Sequence, residues 1–224
     1  DLSSEDGGQF LCYREIIAVS PAQKIESGPE PADIAYIAYT SGPSFRPEGV
    51  MLPHHCLVAE ATVSGDGFQQ TDRDIVLLYA LPMHHAFGLV SGLLVSVCKG
   101  STLVMVPGTG LSISSAMVAI EKEKVTIFLG VPYIFALALN IAKKEGVKSD
   151  LASLRLCASA GASLPVDIIR QFKKYYGFDI LDCWGLTETV AFVTHPSPDG
   201  VGRPGSVGKV PSGWEIKIVD DRGR

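Results

Sequence analysis

The chain has 224 residues, 46% of them hydrophobic, and 19 Lys and Arg against 24 Asp and Glu leave a formal net charge of −5. That apolar content excludes a disordered chain, and the acidic balance with scattered cations argues against a nucleic-acid partner, whose phosphates call for a basic face. The longest weakly polar run, 86–98, is short of the ~20 residues of a transmembrane segment, and the polar, acidic start (Asp1, Ser3, Ser4, Glu5) is unlike a secretory leader.

Five widely spaced cysteines (Cys12, Cys56, Cys98, Cys157, Cys183) include no CxxC pair. They fit neither a zinc site nor a disulfide framework, and a reducing, cytoplasmic location is expected. The adjacent histidines His54 and His55 have no Cys or carboxylate at ligand spacing, so they are not expected to bind metal.

In chain order, 18–33 is rich in Pro, Gly and Glu and reads as a loop. Strands are expected over 34–40, 75–81, 101–107, 125–129, 154–158 and 179–183. Helices are expected over 57–64, 88–98, 112–123, 132–144 and 165–176, the last two with Pro132 and Pro165 in the first turn. The strands from 101 onward are apolar on both sides and alternate with helices. The fold class is therefore α/β, a mostly parallel sheet with helices on both faces. Residues 195–204 read as a loop and 215–219 as a strand opening a small β-rich region. The expected organisation is a leading segment (1–33), an α/β nucleotide-binding core portion (34–194) and a loop with the start of a β-rich region (195–224).

Four segments sit where a parallel sheet binds ligands, at or after strand ends. Tyr39-Thr40-Ser41-Gly42-Pro43-Ser44-Phe45-Arg46-Pro47-Glu48-Gly49 offers hydroxyls and glycines to an anion, but a surface turn has the same composition. It is not the GxxxxGK[ST] phosphate loop. Pro82-Met83-His84-His85-Ala86-Phe87-Gly88 puts a histidine at a strand end, where it either faces a cleft or is bonded within the loop. Ser159-Ala160-Gly161-Ala162-Ser163 is a small-residue turn that lets a flat base approach the backbone. Trp184-Gly185-Leu186-Thr187-Glu188 combines a stacking ring, a hydroxyl and a carboxylate suited to Mg²⁺. Gly108-Thr109-Gly110 begins like a dinucleotide fingerprint. Ile113 stands where the third glycine belongs, which leaves little for a nicotinamide oxidoreductase.

In this order the four segments resemble the adenylate-forming superfamily of acyl-CoA synthetases, luciferases and peptide-synthetase adenylation domains, over about residues 33–219. The most specific match is Trp184-Gly185-Leu186-Thr187-Glu188, similar to the family's aromatic-Gly-x-Thr-Glu signature. Gly205-Ser206-Val207-Gly208-Lys209-Val210-Pro211 and Gly130-Val131-Pro132 are similar to two further stretches. The resemblance implies ATP, Mg²⁺ and CoA, with attack of a carboxylate on the α-phosphorus of ATP and transfer of the acyl group to a thiol. It implies that Ser41, Gly42, Ser44 and Gly49 hold the β- and γ-phosphates and that His85 lines the carboxylate side. Gly161, Ala162 and Ser163 border adenine, Trp184 and Gly185 lie against it, and Asp182 meets its exocyclic amine. Thr187 faces the α-phosphate and Glu188 the Mg²⁺. The region around His84 and His85 lacks the acid of amino-acid-activating members, which favours a simple small-molecule carboxylic acid, fatty or aryl.

The resemblance breaks in two places. Pro43, Phe45 and Glu48 replace a hydroxyl residue, a glycine and a lysine of the family's phosphate loop. Unit charges ~5 Å apart at an effective dielectric of ~20 interact by roughly 3 kcal/mol, so exchanging attraction for repulsion swings about twice that before screening. The family's ribose-binding aspartate, its C-terminal domain with a catalytic lysine and a large N-terminal stretch fall outside these 224 residues, so the chain reads as a fragment without adenylation activity of its own. The competing reading is a catalytically silent homologue that binds a nucleotide or acyl group or serves as an interaction module.

Overall fold

The computed structural model describes residues 12–23, 27–40, 46–79, 81–106, 113–146, 149–195 and 203–224. Asp1–Glu30 and Pro31–Arg224 form two units. In the first, α1 (Tyr13–Val19) has no buried side chain and is closed by the Ser20 N–H and hydroxyl, both donating to Ile16 O.

The second unit opens with an antiparallel hairpin of β1 (Ile34–Thr40) and β2 (Glu48–Pro53), in which Ile37 faces Met51 and Tyr39 faces Gly49. The sequence reading took 46–50 as part of a loop, because Pro47 and Gly49 mask the alternation. Helix α2 (His54–Gly67) follows directly, longer at both ends than expected. His55 is structural at its start: the ring Nδ1 and the backbone N–H both lie on Pro31 O, at 2.7 and 3.0 Å.

The central sheet is five parallel strands in the order β4-β3-β5-β6-β7. They are β3 (Ile75–Leu78), β4 (Thr102–Met105), β5 (Ile127–Gly130), β6 (Leu156–Ser159) and β7 (Ile180–Asp182). Because side chains alternate faces, each inner strand is apolar on both sides. Leu77, Phe128 and Cys157 pack under α4 (Ile113–Glu123), α5 (Pro132–Glu145) and α6 (Val166–Tyr176), together with Phe135 and Phe172. Burial there pushes the Cys157 thiol up to about 12. On the other face Val76, Leu78, Ile127, Leu129 and Ala158 meet Phe68, Phe87 and Phe192. The helix expected over 88–98 begins as a π-helix, Phe87–Leu94, and continues as α3 (Val95–Lys99). A two-stranded ladder, β8 (Trp184–Gly185) with β9 (Phe192–Thr194), follows β7 and carries a register shift.

The strand expected over 215–219 is not formed. Its apolar residues Ile216, Ile218 and Val219 stay exposed, and among the described residues it has no ladder partner. Alternation marks a segment able to pair, but strand geometry needs a second edge. Residue 195, expected in a loop, instead bridges to Lys209.

The sheet is tied together at its amino end. Asp74, Thr126 and Arg155 each immediately precede a strand. Asp74 Oδ1 accepts from Thr126 Oγ1 and Arg155 Nε, both at 2.7 Å. Asp74 Oδ2 accepts from Arg155 Nη2 at 2.8 Å and from the Thr71 amide at 2.8 Å. Arg155 also donates to the carbonyls of Phe68 and Gln69. Although burial raises the Asp74 pKa, the bonds from Arg155, Thr126 and the Thr71 amide outweigh it and hold the group at about 2. Replacing Arg155 with Met strands a buried carboxylate and is expected to cost about 3 kcal/mol of unfolding free energy at neutral pH, measured in denaturant. The folded pKa lies below the ordinary aspartate value, so this stability is present above that value and disappears as pH falls from about 4 towards 2. Acid melts of wild type and Asp74→Asn should therefore differ in slope across that window.

Candidate functional site

The carboxyl ends of the strands converge on a cleft of about 330 Å³. Thr40 reaches it from the end of β1; His85, Ala86 and Phe87 come from the segment between β3 and the π-helix. Ala160 and Gly161 follow β6, Gly185 ends β8, and Leu186, Thr187 and Glu188 follow it. Ala191 and Phe192 close it.

Each contribution has a local cause. Gly161 has φ +84°, a left-handed conformation that side chains disfavour, and this turns the chain sharply after β6. His85 accepts a hydrogen bond at Nδ1 from the Phe87 amide at 3.2 Å, so a neutral ring carries its proton on Nε2. The π-helix beginning at Phe87 places that ring against Phe192, centroids 5.2 Å apart. Wide helical turns of this kind recur at functional sites.

The loop between β8 and β9 is tightly wound. Thr189 Oγ1 accepts from the Leu186 amide at 2.9 Å, and the Val190 amide donates to Thr187 O at 3.0 Å. Val190 has φ +72°, a strained setting for a β-branched residue. A Cβ on Gly185 would fall 1.5 Å from Ala191 O, so the neck of the loop admits no side chain there.

Of the residues singled out in the sequence, His85, Gly161, Gly185, Thr187 and Glu188 line this one cleft. Gly49, Ala162, Ser163, Asp182 and Trp184 do not line it. Gly49 lies within the hairpin opposite Tyr39. Ala162 and Ser163 are exposed beyond Gly161, and the Trp184 ring is 43% exposed. Asp182 is buried and borders a separate crevice with Arg203, Pro204 and Ser206; burial pushes its carboxyl up to about 6 against a hydrogen bond from the Leu164 backbone. Ser41, Gly42 and Ser44, with Pro43 and Phe45, lie outside the described residues, as does the Gly108-Thr109-Gly110 turn. Glu48 is exposed at the first position of β2, paired with Thr40.

Of the apolar half of the lining, the candidate segments contain Ala86, Phe87, Ala160 and Leu186 without giving them a role, and Ala191 and Phe192 lie outside every segment. Such residues carry no signal that separates a cleft wall from a core. No group of three or more His, Cys, Asp or Glu suited to a metal exists among the described residues. Glu188, exposed in the cleft, fits a cation that arrives with phosphates and takes one protein carboxylate. Among the described residues no helix is long and apolar enough to cross a membrane.

Residues 4–224 match the family model described as AMP-binding enzyme. The chain is 33% identical over 220 residues to 4-coumarate–CoA ligase-like 9 of Arabidopsis thaliana, covering 96% of this chain and 38% of that protein. It is 29% identical over 197 residues to a mitochondrial malonate–CoA ligase of Mus musculus, covering 84% of this chain and 33% of the relative. The structure of an anthranilate CoA ligase in complex with anthranoyl-AMP superposes with a TM-score of 0.84 at 30% identity, over 96% of this chain and 41% of that one. ATP-bound MatB from Rhodopseudomonas palustris gives 0.77 at 25% identity, over 89% and 38%. The chain belongs to the AMP-binding enzyme family and spans between a third and two fifths of the length of these relatives. In Gly185→Ala the new methyl forces the neck of the loop apart, and the unfolding free energy measured in denaturant is expected to fall by at least about 1 kcal/mol.

Proposed function

We propose, from its place in the AMP-binding family, that this chain is the nucleotide-handling portion of an acid–thiol ligase that adenylates a carboxylic acid with ATP and passes the acyl group to CoA. The observation that carries the reading is the shared cleft. Thr40, His85, Gly161, Thr187 and Glu188, far apart in sequence, open onto one volume at the carboxyl ends of a parallel sheet.

In this reading adenine lies along the bare backbone at Gly161, bordered by Ala162 and Ser163, with Gly185 beside it. Trp184 offers an exposed ring face for stacking, and the family pattern gives Asp182 to the exocyclic amine although its buried carboxyl borders the separate crevice. The Thr187 hydroxyl faces the α-phosphate, while Ser41, Gly42, Ser44 and Gly49 serve the β- and γ-phosphates. Mg²⁺, held by Glu188, supplies charge neutralisation on the phosphates. His85 donates from Nε2 to the acid and keeps one carboxylate oxygen in line with the α-phosphorus. That oxygen forms the new bond as pyrophosphate leaves, a step that depends on positioning and charge more than on covalent help.

The described lining contains no Lys or Arg, and its inner wall is Phe87, Ala160, Ala191 and Phe192. A second carboxylate would find no cationic partner there, which supports an acid with an uncharged tail over malonate. We favour a fatty acid, with an aryl acid next. The five free cysteines suit a reducing compartment, and we favour the cytoplasm.

A second reading, a silent nucleotide- or acyl-binding homologue, is supported by Glu48, the acidic residue where the family pattern has lysine. Two experiments separate these. The 224-residue chain is expected to bind AMP without catalysing ATP–pyrophosphate exchange, whereas the longer protein containing it should exchange with fatty acids; no exchange with any acid would favour the silent homologue. Glu48→Lys is expected to tighten MgATP by at least about tenfold, given ~3 kcal/mol per charge pair before screening, while leaving AMP unchanged. Equal MgATP affinity in the variant would dismiss Glu48 as the cause of any weakness.

A further inference from the structure

Buried acids are rare unless they have work to do, and besides Asp74 of the strand clamp the described core contains one that the nucleotide reading does not use. Glu60, on α2, is 3% exposed. Its Oε1 accepts two hydrogen bonds, from Ser64 Oγ at 2.7 Å and from the Phe192 amide at 2.9 Å. The second spans 132 residues and joins α2 to the first residue of β9.

Phe192 is where the loop bearing Thr187 and Glu188 returns. The ladder there is irregular: Gly185 pairs with Phe192 but Trp184 pairs with Thr194, so three residues of β9 face two of β8. At this bulge the Phe192 amide is satisfied by Glu60. Two residues earlier stands Val190, left-handed and buried in one apolar cluster with Leu57 and Ala61 of α2 and with Val90 and Val95. A β-branched residue keeps that conformation only when its surroundings hold it. Glu60 and the α2 surface around it are part of that surrounding.

We propose that Glu60 is a positioning residue for the nucleotide cleft: its buried carboxyl anchors the return limb of the loop at Phe192 and so fixes where Thr187 and Glu188 present their oxygens. This rests on the cleft being a nucleotide site. The coupling is short, because Ala191 and Phe192 themselves line the cleft next to Thr187 and Glu188. It is also stiff, because the neck at Gly185 leaves no slack against Ala191. Because both bonds end on Oε1, an amide oxygen in the same place should serve as acceptor; burial pushes the Glu60 pKa up, against the pull of Ser64, the Phe192 amide and Trp214.

The test compares Glu60→Gln, which keeps an acceptor, with Glu60→Met, of similar size and without one, using AMP as the probe. Calorimetry on chains with wild-type circular dichroism should give Gln within about twofold of wild type and Met weaker by more than about tenfold, the scale of one lost buried hydrogen bond. Equal affinity in Met and wild type, or failure of Gln to rescue, overturns the proposal. If Met does not fold, wild-type hydrogen exchange decides it. AMP should slow exchange of the Phe192 amide, because a tether that sets the site is by linkage tightened by the ligand. An unchanged Phe192 rate overturns it. Absence of AMP binding in wild type would instead overturn the nucleotide reading, and the positioning role with it.

Discussion

Three of the five parallel strands start at one carboxylate. Asp74, Thr126 and Arg155 stand one residue ahead of β3, β5 and β6, and the bonds among them set the stagger of those strands at the amino edge. Parallel strands are never joined by a tight turn, so nothing local fixes their relative height. The clamp does so from below for β3, β5 and β6, and β7 takes its register from the ladder with β6. Gly161 after β6 and Gly185 after β7 open on the same cleft.

Above the clamp the sheet holds itself by two-sided burial. Leu77 and Phe128 enter one core and Val76 and Ile127 the other, each essentially without solvent contact. A one-residue slip of any inner strand would exchange its two faces, moving Phe128 from the aromatic cluster with Phe135 and Phe172 into the space beside Phe68 and Phe192. The shape difference between the two cores therefore specifies register as firmly as the ion pair does. The cleft inherits that precision from both.

Much of this was legible before any coordinates. Two-sided apolar runs alternating with helices marked the parallel sheet, and the segments at strand ends marked the cleft, because strand-to-helix turns need small and polar residues whose identities stand out. The remainder was hidden for physical reasons. Pro47 and Gly49 disguise β2, which is formed by pairing with β1 and not by propensity. Residues 215–219 have the alternation of a strand but no partner. Phe87 and Phe192 look like core residues, and a phenylalanine facing a cleft differs from one facing a helix only in its neighbours. Glu60 was invisible in the same way: a single acid on a helix normally faces water, and its burial is answered by Ser64 one turn on and by a backbone amide 132 residues away.

The reach of these contacts bears on how the molecule is made. Arg155 meets Asp74 across 81 positions and Phe192 meets Glu60 across 132, so neither bond exists until most of the unit has been synthesised. Contacts of such separation are costly in loop entropy and slow to form. As the chain leaves the ribosome, the hairpin and α2 emerge early with an acid whose partner is still to come. The strand clamp is complete in sequence once Arg155 has emerged, and the partner of Glu60 only when Phe192 follows. The order in which partners emerge thus runs from scaffold to chemistry.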